Sequence, residues 1–169
     1  MRPYLPVVVV ALAAAVLQST ILSLLSEGLQ LDLLFVIVVV VGLHKDPVNG
    51  SIMSAGIGYL GDVLSADITG LFMTSRLSVF VLAQALRGRL SPETPLSQFT
   101  IGLGLGLFDH LVVYILQLVF TEPLPLSGKG FLLMALGALV NAALVPIFYF
   151  FFSWLPGFIE KPRGPLVRG

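Results

Sequence analysis

Four ionisable residues stand inside long apolar runs of the sequence: Asp62, Arg76, Asp109 and His110. A charge in a hydrocarbon environment costs a few kcal/mol on insertion scales, so each of them asks for a partner or a task. Asp62 and Arg76 lie symmetrically about Thr69. If a tight turn at Thr69 joins two antiparallel helices, the two side chains come to similar depth and can form a charge-assisted, bidentate pair. Such a pair either fixes one helix hairpin or recognises a ligand or partner. Asp109, near the middle of a later apolar run, is the competing partner for Arg76. His110 follows it at about 100° around a helix, so only one of the two shares the Arg76 side. His110 reads as a neutral, hydrogen-bonded side chain packed between helices, in preference to a proton relay or a metal ligand.

These residues do not assemble into enzyme chemistry. A rhomboid-type nucleophile turn, Gly-x-Ser-Gly, does not occur in the sequence. An intramembrane aspartyl protease needs two aspartates level with each other; Gly61-Asp62 has Tyr59 where that family places its first glycine, and Asp62 and Asp109 differ in expected depth by roughly 13 Å. No phosphate-cradling glycine loop with its lysine is present, and the Asn49-Gly50-Ser51 sequon falls on the expected cytoplasmic side. No enzyme, cofactor or metal site is expected. Small residues recur at four-residue spacing as Gly50, Ser54 and Gly58, and again as Gly102 and Gly106. They let backbones approach closely and are candidate surfaces for a partner helix or for another helix of the same chain. Gln18, Ser19, Gln84, Gln117 and Asn141 are uncharged polar residues within runs, suited to interhelical hydrogen bonds.

The elements that hold these residues follow from composition. The chain has 169 residues, 57% of them hydrophobic and 11% charged, with a mean hydropathy of +1.01. One small globule cannot bury so much apolar surface, so lipid is the expected solvent and the bilayer itself a partner. Zero formal net charge removes the basic footprint of a nucleic-acid binder, and the absence of cysteine removes disulfides and thiolate sites. Six apolar runs, at about 4–25, 31–43, 48–64, 70–86, 98–120 and 131–155, predict an all-α membrane protein of six transmembrane helices in one integral domain, with 156–169 as a short tail. The second run is short enough that its helix is expected to extend past both limits. The β-branched stretch Val36 to Val41 would suggest a strand in water, but a lone strand in lipid leaves its backbone unpaired, so a helix is expected. Pro146 predicts a kink inside the sixth helix. With both termini in the cytoplasm, Arg2, Lys45, Arg87, Arg89, Lys161, Arg163 and Arg168 fall on the cytoplasmic side and Lys129 alone on the other.

The order Leu17-Gln18-Ser19-Thr20, Leu31-Asp32-Leu33-Leu34, Gly42-Leu43, Gly50, Gly58-Tyr59 with Asp62 four residues after the glycine, and Gly70-Leu71 resembles the bacterial rod shape-determining protein MreD family over about residues 15 to 90. Leu31 stands where that family usually has a proline, and from the fifth run onward no motif matches. The resemblance implies a multi-pass inner-membrane scaffold of the cell-elongation (Rod) machinery. It would bind MreC and act through it with MreB, RodZ, RodA and a class B penicillin-binding protein, helping to control cell shape and peptidoglycan synthesis without catalysis. It also implies a fold similar to the S components of energy-coupling-factor vitamin transporters. The alternative function is therefore a substrate-binding transporter subunit, for which Ala11-x-x-x-Ala15 would be the docking motif; the sole tryptophan, Trp154, lies far from where a vitamin pocket would need it.

Overall fold

The computed structural model describes residues 5–24, 31–65, 70–87, 89–90, 92–120 and 128–155, with the α1 side chains described from 7 to 20. These residues form six helices and no strand: α1 Leu5–Leu24, α2 Leu33–His44, α3 Pro47–Ser65, α4 Leu71–Arg87, α5 Pro95–Phe120 and α6 Gly128–Trp154. Helix boundaries agree with the six apolar runs to within three residues. Pro47 and Pro95 each take the first helical position, where a missing N–H costs nothing. Pro146 lies inside α6, which continues through it. The α5 and α6 helices are long and apolar enough to cross a membrane.

The second helix departs from expectation. It begins two residues inside its apolar run and ends one residue past it, at 12 residues, about 18 Å, well short of a roughly 30 Å hydrocarbon layer. It is the centre of the bundle, touching each of the other five helices. Every residue from Val36 to Val41 is fully buried, so the β-branched run that would otherwise favour a strand forms the helical core. Around it, α3 and α4 form one antiparallel hairpin and α5 and α6 another, while α1 packs on α2 and α3. The end bearing the α3–α4 turn is here called the upper end.

The bundle encloses a polar cluster within an apolar core and is apolar outside as well. Arg76, Asp109, Asp62, Asn141 and Ser75 are buried, whereas Val16, Leu17, Ile52, Val81, Val119, Phe131, Phe150 and Trp154 are among many large apolar side chains left exposed. Lipid tails would solvate such an exterior at little cost.

Candidate functional site

The short second helix creates a polar problem at its upper end, because the first amides of a helix have no intrahelical acceptor. Asp32 is the N-cap, its Oδ1 accepting from Phe35 N at 2.9 Å. Asn141 of α6 accepts through Oδ1 from Asp32 N at 2.9 Å, and Gln18 of α1 accepts through Oε1 from Leu33 N at 3.0 Å. Three side chains from three parts of the fold thus satisfy one helix end inside the bundle.

Arg76 joins this cap to the α5 helix. Its guanidinium, 2% exposed, donates from Nη2 to Asp32 Oδ2 and from Nη1 to Asp109 Oδ1, the latter at 2.5 Å. Ser75 Oγ donates to the same Asp109 oxygen at 2.5 Å. The Arg76 guanidinium also lies 5.5 Å from the Phe35 ring centroid and 5.6 Å from that of Phe72, within range for cation–π attraction. Asp109 is nearly as buried as Arg76, while the Asp32 side chain retains 20% exposure and is the open edge of the network.

The hairpin pairing of Asp62 with Arg76 is not what the structure contains. Asp62 instead caps α4: Oδ2 accepts from Gly70 N at 2.9 Å and Met73 N at 3.2 Å, and Oδ1 from Phe72 N at 2.7 Å. Charge depth put the two residues level, but a carboxylate beside a helix N-terminus finds three aligned donors and a favourable dipole without needing a cation. Gly70, at φ +99°, supplies the left-handed turn that aims those amides back at Asp62. Of the two acceptors open to Arg76 in the sequence, Asp109 is used, and Asp32 is a third that depth reasoning missed.

His110 stands beside the network and outside it. Its Nδ1 is 3.9 Å from Asp109 Oδ2, too long for a hydrogen bond, and Nε2 is buried without a partner among the described residues. No group of three or more metal-ligating side chains forms among the described residues.

The small-residue stripes are occupied within the chain. A Cβ on Gly50 would lie 2.4 Å from the Phe80 ring, and one on Gly58 would lie 2.5 Å from Met73 Cα, so this edge of α3 is the α3–α4 contact; Ser54 between them is fully buried. On α5, a Cβ on Gly102 would strike Val145 at 2.7 Å, and Gly106 faces Ala138 of α6 at 3.5 Å. Gly50, Ser54, Gly58, Gly102 and Gly106 are therefore taken up by contacts within the chain, the second of the two uses open to them in the sequence. Gly42, which enters the sequence pattern without a packing role, brings α2 against Ala83 of α4, where a Cβ would be 2.6 Å away. Ala11 and Ala15 are likewise buried, which removes them as an outward docking motif.

Among the described residues, two open concavities flank α1. One, of about 470 Å³, runs between α1 and α3 along Val7, Ala11, Asn49, Ile52, Gly56 and Leu60. The other, of about 350 Å³, lies between α1 and α6 beside Leu17, Leu33, Phe148 and Phe151. At the lower end, the Lys45 carbonyl accepts from Gln84 Nε2 at 2.7 Å and Arg87 Nη1 at 2.8 Å, closing the C-terminus of α2 with two donors from α4. No family model, curated protein or solved structure matches this chain.

Proposed function

We propose that the chain is a multi-pass scaffold of the bacterial inner membrane, of the MreD type, with all six helices embedded and both termini in the cytoplasm. It would bind the single-pass protein MreC and, through it, connect to MreB, RodZ, RodA and a class B penicillin-binding protein, governing where peptidoglycan is made without catalysing its synthesis. The observation that carries this reading is where the resemblance residues lie. Gln18 and Asp32 satisfy the upper end of α2, Gly42 seats α2 on α4, Gly50 and Gly58 seat α3 on α4, and Asp62 with Gly70 builds the α3–α4 turn. Residues scattered over the sequence thus build one four-helix arrangement, which supports reading them as one pattern.

Further support comes from the many large apolar side chains on the exterior, and from Lys45, Arg87 and Arg89 at the lower end, the side that the positive-inside rule assigns to the cytoplasm. Chain-end reporter fusions test the topology: both ends report cytoplasm if it is right. Co-expression with tagged MreC tests the role. Recovery of a stoichiometric detergent-stable complex, and rounding of cells on depletion, are the expected results; retention of a tightly bound vitamin without MreC would replace the scaffold by a transporter subunit.

A further inference from the structure

We propose that His110 is a proton-binding member of the Arg76 network, and that the proton it takes up strengthens the joint between α4 and α5 as the upper side of the bundle becomes acidic. The inference rests on the interior geometry and holds whatever the chain binds. The scaffold reading adds only that the upper side faces away from the cytoplasm.

The network is one cation short. Arg76 is shared by two carboxylates, those of Asp109 and Asp32, both largely withdrawn from solvent. A buried carboxylate without a counterion of its own is costly, and a proton or a cation brought beside it removes the cost. Among the described residues, the helices packed against α5 do not supply one. From α4 come Arg76, already shared, and the hydroxyl of Ser75; from the cap of α2 comes Asp32. The α6 helix has two ionisable residues, Lys129, exposed in its first turn, and Tyr149 near its lower end. On α5 itself they are Asp109, His110 and Tyr114. Asp62 is engaged by the amides of Gly70, Phe72 and Met73. His110 is therefore the one group of this region that can gain a positive charge.

Its geometry suits that change. Oδ1 of Asp109 is taken by Arg76 Nη1 and Ser75 Oγ, while Oδ2 faces His110 Nδ1 across 3.9 Å. The neutral ring gains nothing from this position, since Nδ1 is too far to bond and Nε2 is buried without a partner among the described residues. In the imidazolium both ring nitrogens are donors, and a closure of about 1 Å sets Nδ1–H on Oδ2 in a charge-assisted bond. With Oδ2 held on α5, the carboxylate is fixed with Oδ1 toward α4, where Arg76 and Ser75 meet it. A polar line leads there from above: His110, Tyr114 and Gln117 stand at i, i+4 and i+7, each part-buried, climbing about 10 Å along one face of α5 toward the upper end.

The sign of the pH response separates this arrangement from a histidine packed neutral. If the folded chain binds the proton between His110 and Asp109, stability rises as pH falls through the imidazole range; a histidine kept neutral by burial gives the reverse, because only the unfolded chain then takes the proton up. Unfolding midpoints of the full chain in mild detergent, wild type against His110→Gln, decide between them. Wild type should gain about 2–4 °C on the variant between about pH 8 and about pH 5.5. His44, the only other histidine, is common to both chains. A difference that stays constant or moves the other way overturns the proposal. Asp109→Asn keeps His110 and should abolish the acid-side gain; a gain that survives this change overturns the pairing. Should His110→Gln fail to fold, nitrogen NMR of a His44→Gln chain, with one imidazole left, reads the charge directly. That ring should be protonated on both nitrogens at about pH 5.5, and on one when Asp109→Asn is added. One protonated nitrogen throughout, or equal charging with and without Asp109, overturns the proposal. None of these readouts involves MreC, so the scaffold reading stands or falls separately.

Discussion

Removing Arg76 should be the most damaging single change to the interior, and the damage should be coupled to Asp109 but not to Asp62. Arg76→Met keeps the volume and deletes the cation that faces Asp109 and Asp32, leaving one carboxylate almost fully buried and one mostly so. Breaking a buried ion pair from one side costs about 3–5 kcal/mol, because an uncompensated charge remains. Asp109→Asn costs less, about 1–3 kcal/mol, because Ser75 Oγ can still donate to the amide oxygen while Arg76 keeps Asp32. In the double variant the stranded carboxylate at 109 is gone, so a coupling of about 1–3 kcal/mol should appear, recovering part of the summed loss. Asp62→Ala should cost about 1–2 kcal/mol by uncapping Gly70, Phe72 and Met73, and should add to Arg76→Met with coupling under about 0.5 kcal/mol, since that carboxylate is engaged by three amides. Equilibrium unfolding in mild detergent reads all three terms, and about 1 kcal/mol corresponds to roughly 2–4 °C for a chain of this size. Additive losses for Arg76 with Asp109, or strong coupling of Arg76 to Asp62, would refute the network described here.

Glycine replacements distinguish close approach from ordinary contact. Gly58→Ala drives a methyl to 2.5 Å from the Met73 backbone and should destabilise by about 1–3 kcal/mol, whereas Gly106→Ala meets Ala138 at 3.5 Å and should be near neutral in the same unfolding measurement. Gly70→Ala keeps open space around the side chain but holds φ at +99°, so a loss of about 1 kcal/mol should come from backbone strain alone, and Gly70→Asn should recover some of it. At the N-cap of α3, Asp46→Ala should cost about 1 kcal/mol at neutral pH. Because folding lowers the Asp46 pKa, its contribution is present above the unfolded value and disappears as pH falls through the folded one; wild type and Asp46→Ala should therefore converge in stability at acid pH, and a difference that persists there would contradict the assignment.

Much of the architecture is visible in residue order alone, and the part that is not has one cause. Hydropathy locates six helices because apolar runs of helical length leave few other structures for a backbone to adopt in lipid. It also locates the buried charges, since Asp62, Arg76 and Asp109 are conspicuous in such runs. Partner choice is harder, because depth along a helix fixes level but not azimuth and not the competing claims of a helix N-terminus on a carboxylate. Asp62 is the instance: level with Arg76 in a hairpin, yet satisfied by Gly70, Phe72 and Met73. The glycine stripes show the same limit, for spacing predicts close approach without saying which chain approaches; Gly58 meets α4 and Gly102 meets α6 of this protein.

The interior network follows from the length of α2. The first residues of this 12-residue helix, Leu33 to Phe35, are buried in the bundle, so the amides of that end need acceptors from the protein. Gln18, Asn141 and the Asp32 carboxylate supply them. Once Asp32 is drawn into the bundle as the cap, its charge needs a cation; Arg76 provides it and, having a second nitrogen to satisfy, holds Asp109 as well. The chain of requirements runs from a short apolar run, through a buried helix end, to an arginine shared by two aspartates. Lengthening α2 upward by one turn would relieve its first step: the cap would leave the interior, and Arg76 would then have only Asp109 to meet.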